Sequence, residues 1–457
     1  MRYRQLVGRQ VALPPECTRR LILVLPSAVL TMVLISRGVT ASVLDMELIP
    51  QRGSFWCWAA SAEMTLDYLA PTKLYRDAVG QCSLVRSLGL QPQCDCPCPD
   101  GFNAASPACE QADPFGQGDF LPGLLGDVKK TSQNSTNLAP IDRDLLTYEV
   151  DTRKRPIIAW WGDGDCQYGQ GHLVVSSGVE RNTARGDLVL ILDPQPIQTG
   201  DRYWLTWRGF SCGSFLGGHC VDYYDLQGTA APPKYPATVD LDGVGCGSPA
   251  VSFEKIHEIS ESAEIVNRLL QGETGVRLRK GLGAPGQNGG IECDLGIRVH
   301  GARIAFDKDA GAVPSKIGTT RLLCDLQGDS GRVPASIFLI DRGPEEWLLA
   351  GFGAPHTSQW IRRTAEIVRK QKGIAAGTPK VPIIDLYEVE VPGTGDLLLV
   401  VPDPAAGYPA FHFQAELGLA KDQRPLRDVL KESVGNAGSR TLESWLRGLK
   451  SARFPVP

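Results

Sequence analysis

In the stretch QRGSFWCWAASAEM, residues 51–64, Cys57 stands between two tryptophans, six residues after Gln51. A thiol attacks only as its thiolate, and a helix N-terminus or a nearby imidazolium favours that form. The stretch offers the first. Ser54 is of a helix-capping type, and Trp58, Ala62, Leu66 and Leu69 recur at helical spacing until Pro71 ends the run. Cys57 then falls in the first turn, beside that apolar stripe, at the exposed N-terminal end. His172 offers the second. GQGHLVVSSG puts it at the start of a strand, after a Gly-rich loop, and twenty-one residues later Asp193 ends the strand of VLILDPQP. Two neighbouring antiparallel strands can bring such a pair together, and the carboxylate then holds the tautomer of the imidazole, as in other triads.

Each residue also has a plain structural reading. Cys57 alone reads as a buried core thiol, His172 as a strand-end histidine, Asp193 before Pro194 as a turn residue, and Gln51 as a loop amide. The four together, in this order, favour nucleophilic acyl transfer. Trp204 and Trp207 read as sheet core rather than as a shield over the His–Asp pair. Asp163 and Asp165 read as solvated turn residues.

The elements that must carry these groups are legible as a helix and a sheet. RPIIAWW, HLVVSSGV, LVLILDP and RYWLTW are short apolar runs between Gly, Asp and Pro punctuation, which predicts an antiparallel sheet. QGTAAPPKYPATVDLDGVGCGSP is a Pro/Gly-rich linker. Beyond it, FEKIHEISESAEIVNRLL, TSQWIRRTAEIVRKQKG and RTLESWLRGLK predict helices, the second capped by Thr357 or Ser358 and followed by Gly373. IRVHGARIAF, ASIFLID, EWLLAGFG and PIIDLYEVEVPGTGDLLLVV predict strands, the last broken by a Gly-rich turn. The expected organisation is a signal peptide over 1–41, an α+β domain over 42–228, a linker over 229–250, and a second α+β domain of unknown fold over 251–457.

Residues 48–215 resemble a papain-like cysteine peptidase, in particular the compact bacterial branch that includes phytopathogen effector proteases. The residues that carry the resemblance are Gln51, Trp56-Cys57-Trp58-Ala59-Ala60, Gly171-His172-Leu173-Val174-Val175, Asp193-Pro194 and the aromatic strand RYWLTWRGF. The resemblance implies an N-terminal helix packed on an antiparallel sheet. It makes Cys57 the nucleophile, His172 the general base and acid, and Asp193 the orienting residue. Gln51 and the Cys57 backbone N–H become the oxyanion-hole donors, each of which is worth about 2.7–4 kcal/mol when removed. The long Cys-rich middle departs from the family pattern.

The chain has 457 residues, enough for two or three domains, with 42% hydrophobic and 21% charged residues. A formal net charge of -4 excludes nucleic acid as the main partner, since that binding rests on clustered Lys and Arg. TRRLILVLPSAVLTMVLISRGVTAS has basic residues, a short apolar run and small residues at Val39 and Ala41, so a signal peptide cleaved after Ala41 is expected. The protein is then secreted or periplasmic, without stable membrane association unless that segment stays uncleaved. Export explains the thirteen cysteines. With Cys57 kept free, Cys82, Cys94, Cys96, Cys98, Cys109, Cys166, Cys212 and Cys220 supply up to four disulfides, and Cys246, Cys293 and Cys324 leave one odd thiol. The spacing of Cys94, Cys96 and Cys98 fits one tetrahedral zinc poorly, with no histidine nearby, so neither metal nor cofactor is expected. CDLQGDSGRVP spells a serine-protease-like motif around Ser330, but too few residues of the second domain precede it, so it reads as a turn.

The expected activity is a secreted thiol protease that cuts protein or peptide substrates through an acyl-enzyme. A transglutaminase-like acyl transferase uses the same residue types in the same order. A catalytically inert peptidase-like binding protein is the alternative outside enzymology. Gln51 lies about ten residues after the expected cleavage point, which leaves no room for a propeptide there. Residues 251–457 are therefore expected to restrain or target the enzyme.

Overall fold

A computed structural model of the chain describes residues 41–52, 56–69, 80–81, 84, 129–130, 141–162, 171–181, 187–197, 199–211, 218–226, 255–284, 289–307, 311–328, 331–343, 346–374, 383–391, 396–412 and 424–430. The expected signal peptide up to residue 40, Ser54, the Cys94–Cys98 cluster, Asp163, Asp165, the linker, Ser330 and the last predicted helix lie outside these residues.

The fold is mixed α+β and mostly sheet. The first half contributes β1 (Ala41–Val43), β2 (Lys129–Lys130), β3 (Ile157–Gly162), β4 (Gly171–Glu180), β5 (Leu188–Asp193), β6 (Asp201–Thr206) and β7 (Gly218–Tyr224). The second contributes β8 (Lys255–Ile256), β9 (Ile291–Asp307), β10 (Gly311–Gly328), β11 (Gly331–Gly343), β12 (Glu346–Gly353), β13 (Ile384–Val391), β14 (Asp396–Val400), β15 (Pro409–His412) and β16 (Arg424–Pro425). All sixteen belong to one sheet, in the order β16-β15-β14-β13-β9-β10-β11-β12-β6-β5-β4-β3-β7-β2, with β1 on β4 and β8 on β12. Pairing is antiparallel throughout except for β13 on β9. Residues 42–228 and 251–457, read from sequence as two domains, thus share one ladder, and Val39–Pro457 form one compact unit.

The α-helices bounded within the described residues are α1 (Cys57–Leu69), α2 (Arg143–Thr147), α3 (Trp207–Ser211), α4 (Glu261–Leu269), α5 (Gly272–Gly281) and α6 (Pro355–Gln371). Apolar residues on both faces of the central strands explain why these read as continuous hydrophobic runs. On β5, Val189 and Ile191 join the core under α1, while Leu188 and Leu190 join a second core under α4 and α5. β6 alternates likewise: Tyr203 and Leu205 face the first core, and Trp204 the second, where its indole N–H donates to Leu278 O at 3.0 Å. A further core packs Trp360, Ile361, Ala365 and Val368 of α6 on Val299, Leu323 and Leu386.

Three local expectations need correction. The helix predicted from Phe253 begins only at Glu261, because Lys255 and Ile256 pair with Leu348 and Trp347 of β12. α5 was not predicted; its Gly272, Gly275 and Gly281 weaken the helical pattern. α6 is not capped by Thr357 or Ser358. It starts at Pro355 after Ala354, whose φ is 58°, and both hydroxyl residues lie inside its first turn.

Candidate active site

Cys57 opens α1, and Ala60 N–H donates to Trp56 O at 2.9 Å, so Trp56 ends the preceding segment. The N–H of Cys57 has no carbonyl four residues back within the helix to bond, the general condition of a first-turn residue. The thiol is free but not exposed: Cys57 is 5% accessible. The expectation of an exposed helix end fails because every residue from Cys57 to Thr65 is buried. Ala59, Ala60, Ser61 and Ala62 let this helix sit inside the structure rather than on it. Ser61 Oγ donates to Leu173 O at 3.1 Å, which fixes α1 against β4 one residue from His172.

β4 and β5 pair through Val175↔Leu192 and Ser176↔Ile191. Carried one residue beyond the last pair, that register sets Asp193 across from Val174, and His172 is the next side chain on the same face, at the diagonal position that long side chains span. His172 Nε2 lies 2.6 Å from Asp193 Oδ1. Cys57 lies close enough to the imidazole to act on its charge as well. Burial pushes the His172 imidazole down, but Asp193 and Cys57 together push it further up, and it ends well above its ordinary value of 6.5. His172 is 1% accessible and Asp193 6%.

Asp193 is held on both oxygens. Gln195 N–H donates to Oδ1 at 2.8 Å, and the Tyr203 hydroxyl donates to Oδ2 at 2.7 Å. Burial first, then Asp193, raises the Tyr203 phenol well above 10.0, so it stays a donor. Behind this carboxylate lies a small cavity of mixed polar and apolar lining, with Asp193, Asp201, Tyr203, Arg321, Phe338 and Glu388 among its walls. Arg321 Nη2 pairs with Glu388 Oε1 at 2.8 Å and sits 4.7 Å over the Phe338 ring.

Gln51 is fully buried, and its N–H donates to Pro194 O at 2.9 Å. The segment carrying it therefore runs beside the Asp193–Pro194 turn. Cys57, His172 and Asp193 are brought into one row, joined at its far end by the His172–Asp193 hydrogen bond, and Gln51 is tied by its backbone to that end. Trp204 faces the opposite core, and Trp207 packs against Phe210 with ring centroids 5.7 Å apart.

Three supporting residues escaped the sequence reading. Tyr203 had a usable signal, since alternation along RYWLTW puts it on the face of Asp193. Gln81 had none. Nor had His219, whose Nδ1 meets Phe210 O at 2.6 Å and whose Nε2 meets Asp222 Oδ2 at 2.7 Å. The Trp161 indole N–H also donates to its Nδ1 at 3.2 Å, so the ring is held on both nitrogens. Trp161 stands between His172 and His219, opposite each in the sheet register.

Comparison of the chain with protein-family models, with curated proteins and with solved structures finds no match. Among the described residues there is no cluster of three or more metal-ligating side chains, and no helix is long and apolar enough to cross a membrane. Cys293 and Cys324, register partners on β9 and β10, form a disulfide, and Cys220 is also disulfide-bonded.

Proposed function

We propose that the protein is a thiol protease that hydrolyses peptide bonds through a Cys57 acyl-enzyme, with an active half of papain-like type. One observation carries the reading. His172 is bonded through Nε2 to Asp193 while its remaining partner is a free thiol at a helix N-terminus. A merely structural histidine has no need of that thiol.

The steps follow from the arrangement. Cys57 Sγ attacks the carbonyl carbon, a C–S bond forms, and the oxygen gains the negative charge. The Cys57 N–H and the Gln51 amide are the donors for that charge. His172 gives its proton to the leaving nitrogen as the C–N bond breaks. Water then attacks the thioester, His172 takes its proton, and the C–S bond breaks to return the thiolate. Asp193 keeps the ring oriented throughout. The Cys293–Cys324 disulfide supports an oxidising compartment outside the cytoplasm as the place of action.

The test is alkylation of Cys57 in the folded protein, followed by mass spectrometry across pH, with His172→Ala beside it. At about pH 6 the wild type should react at least about tenfold faster than the variant. Release of peptides from casein should disappear in Cys57→Ala. An unreactive Cys57, or alkylation indifferent to His172, overturns the reading. Incorporation of an added primary amine at protein glutamines in place of hydrolysis would move the reaction to acyl transfer.

A further inference from the structure

Gln81 lies outside the row of Cys57, His172 and Asp193, yet it is fully buried, and its amide oxygen and both its amide N–H groups are hydrogen-bonded. Its Oε1 accepts from Arg52 N–H at 2.9 Å. Its Nε2 donates to Pro50 O at 3.0 Å and to Glu63 Oε2 at 3.0 Å. These partners fix the orientation of the amide, because the exchanged orientation would set NH2 against the Arg52 N–H. The two backbone groups belong to the residues on either side of Gln51. Glu63 belongs to α1, six residues after Cys57.

Resting on the protease reading, we infer that Gln81 is a positioning residue for the oxyanion hole, holding the Gln51 segment and the Cys57 helix in one fixed relation. The two oxyanion donors sit on separate pieces of chain. Gln51 is in an irregular segment, neither helix nor strand, and Cys57 N–H is at the end of a helix. Donors for a developing charge work only when their spacing is set before reaction. Pairing with both Pro50 O and Arg52 N–H, the Gln81 amide acts as the peptide group of a neighbouring strand would. Its second N–H reaches α1. Together with the bond from Gln51 N–H to Pro194 O, this fastens the segment on two sides. A primary amide suits the position because it offers one acceptor and two donors in a plane.

The experiment uses the full chain with casein as substrate and four proteins: wild type, Gln51→Ala, Gln81→Ala and the double variant. Gln81→Ala should lower kcat about tenfold or more with KM changed less than about threefold, the signature of an interaction realised in the transition state. The double variant should be no slower than Gln51→Ala, because Gln81 acts through Gln51. The pH dependence of Cys57 alkylation should match wild type, since the Cys57–His172–Asp193 row is untouched. Gln81→Met, which keeps the length and the burial of the side chain but loses the acceptor and both donors, should lower kcat as Gln81→Ala does. It also stands in should the alanine variant fail to fold.

A kcat within about twofold of wild type in a folded variant, or losses that multiply in the double variant, would overturn the inference and leave the protease reading intact. A wild type that releases no peptides and shows no His172-dependent alkylation sinks the protease reading instead. Hydrogen exchange at the Arg52 amide then still decides on the clamp: protection should be lost in Gln81→Ala and kept in Gln51→Ala. Unchanged protection in Gln81→Ala refutes it.

Discussion

Tyr203 and His172 share the Asp193 carboxylate, the phenol on Oδ2 at 2.7 Å and the imidazole on Oδ1 at 2.6 Å. A carboxylate gripped on one oxygen by a rigid strand residue can turn neither itself nor the ring it holds. Tyr203→Phe keeps the ring contact with Phe338 and removes only the hydroxyl. The expected loss is about 1.5–3 kcal/mol of stability, the usual worth of a bond to a charged group. Casein hydrolysis should slow about fivefold to tenfold, about 1 kcal/mol of transition-state stabilisation. Urea unfolding and initial rates measure the two. An unchanged rate would mean that Gln195 N–H alone fixes Asp193.

The elevated His172 has a second consequence. A histidine whose folded pKa lies above its unfolded value stabilises the fold fully below the unfolded value and loses that contribution as pH rises through the folded one. The window therefore opens near the ordinary 6.5 and extends upward. Cys57 is one of the two partners that hold the imidazole up. In Cys57→Ala the His172 titration should shift down, so the loss of stability, still starting near 6.5, should be smaller and complete at lower pH. An NMR titration of the His172 ring proton reads the first and urea midpoints against pH the second. A titration unmoved by Cys57→Ala would place the thiol outside the coupled pair.

Gly171 shows how closely the strand bearing His172 is fitted. A Cβ built there would lie 2.0 Å from Trp160 Nε1 and 2.7 Å from Trp161 O. Trp160 is 2% accessible, so its indole has no room to retreat, and the second contact is backbone. Gly171→Ala should cost about 1–3 kcal/mol, the range for overpacking, and should slow catalysis by displacing the adjacent His172. A urea midpoint equal to wild type would show that β3 yields at this point.

Much of this site was legible in sequence because each part announces itself locally. Apolar runs with Gly and Pro punctuation gave β3 to β6, and the spacing of Cys57, His172 and Asp193 gave the row. What was not legible depends on partners far along the chain. Gln81 bonds residues 18 to 31 positions away, with no pattern around it. The pairing of β6 with β12 through Leu205↔Gly351 and Phe352↔Trp204 joins segments that a Pro/Gly-rich linker seemed to separate. Trp204 reads as core, but alternation alone does not say that α5 covers it. The burial of Cys57 was missed for a related reason: a stripe seen in sequence marks one apolar face, whereas small residues on the other faces admit neighbours there too.

The junction of the two halves is fastened by a buried carboxyl as well as by strand pairing. Asp201, opposite Asp193 in the β5–β6 register, accepts from Thr357 N–H at 2.9 Å, Thr357 Oγ1 at 2.6 Å and His356 N–H at 3.0 Å. It caps α6 from another strand, satisfying N–H groups that a helix start leaves unpaired. Burial outweighs these donors and raises the carboxyl from 3.8 to about 7. The folded state therefore binds this proton more tightly than the unfolded state, and stability should fall as pH rises between 3.8 and about 7. Asp201→Asn keeps one acceptor and cannot titrate, so that part of the slope should flatten. Asp201→Ala removes the cap and should cost about 0.5–2 kcal/mol at any pH in the range. Urea midpoints collected across pH for the three proteins separate these effects. A slope in Asp201→Asn equal to wild type would mean that another buried carboxyl, such as Glu388 beside Arg321, carries the proton at this junction.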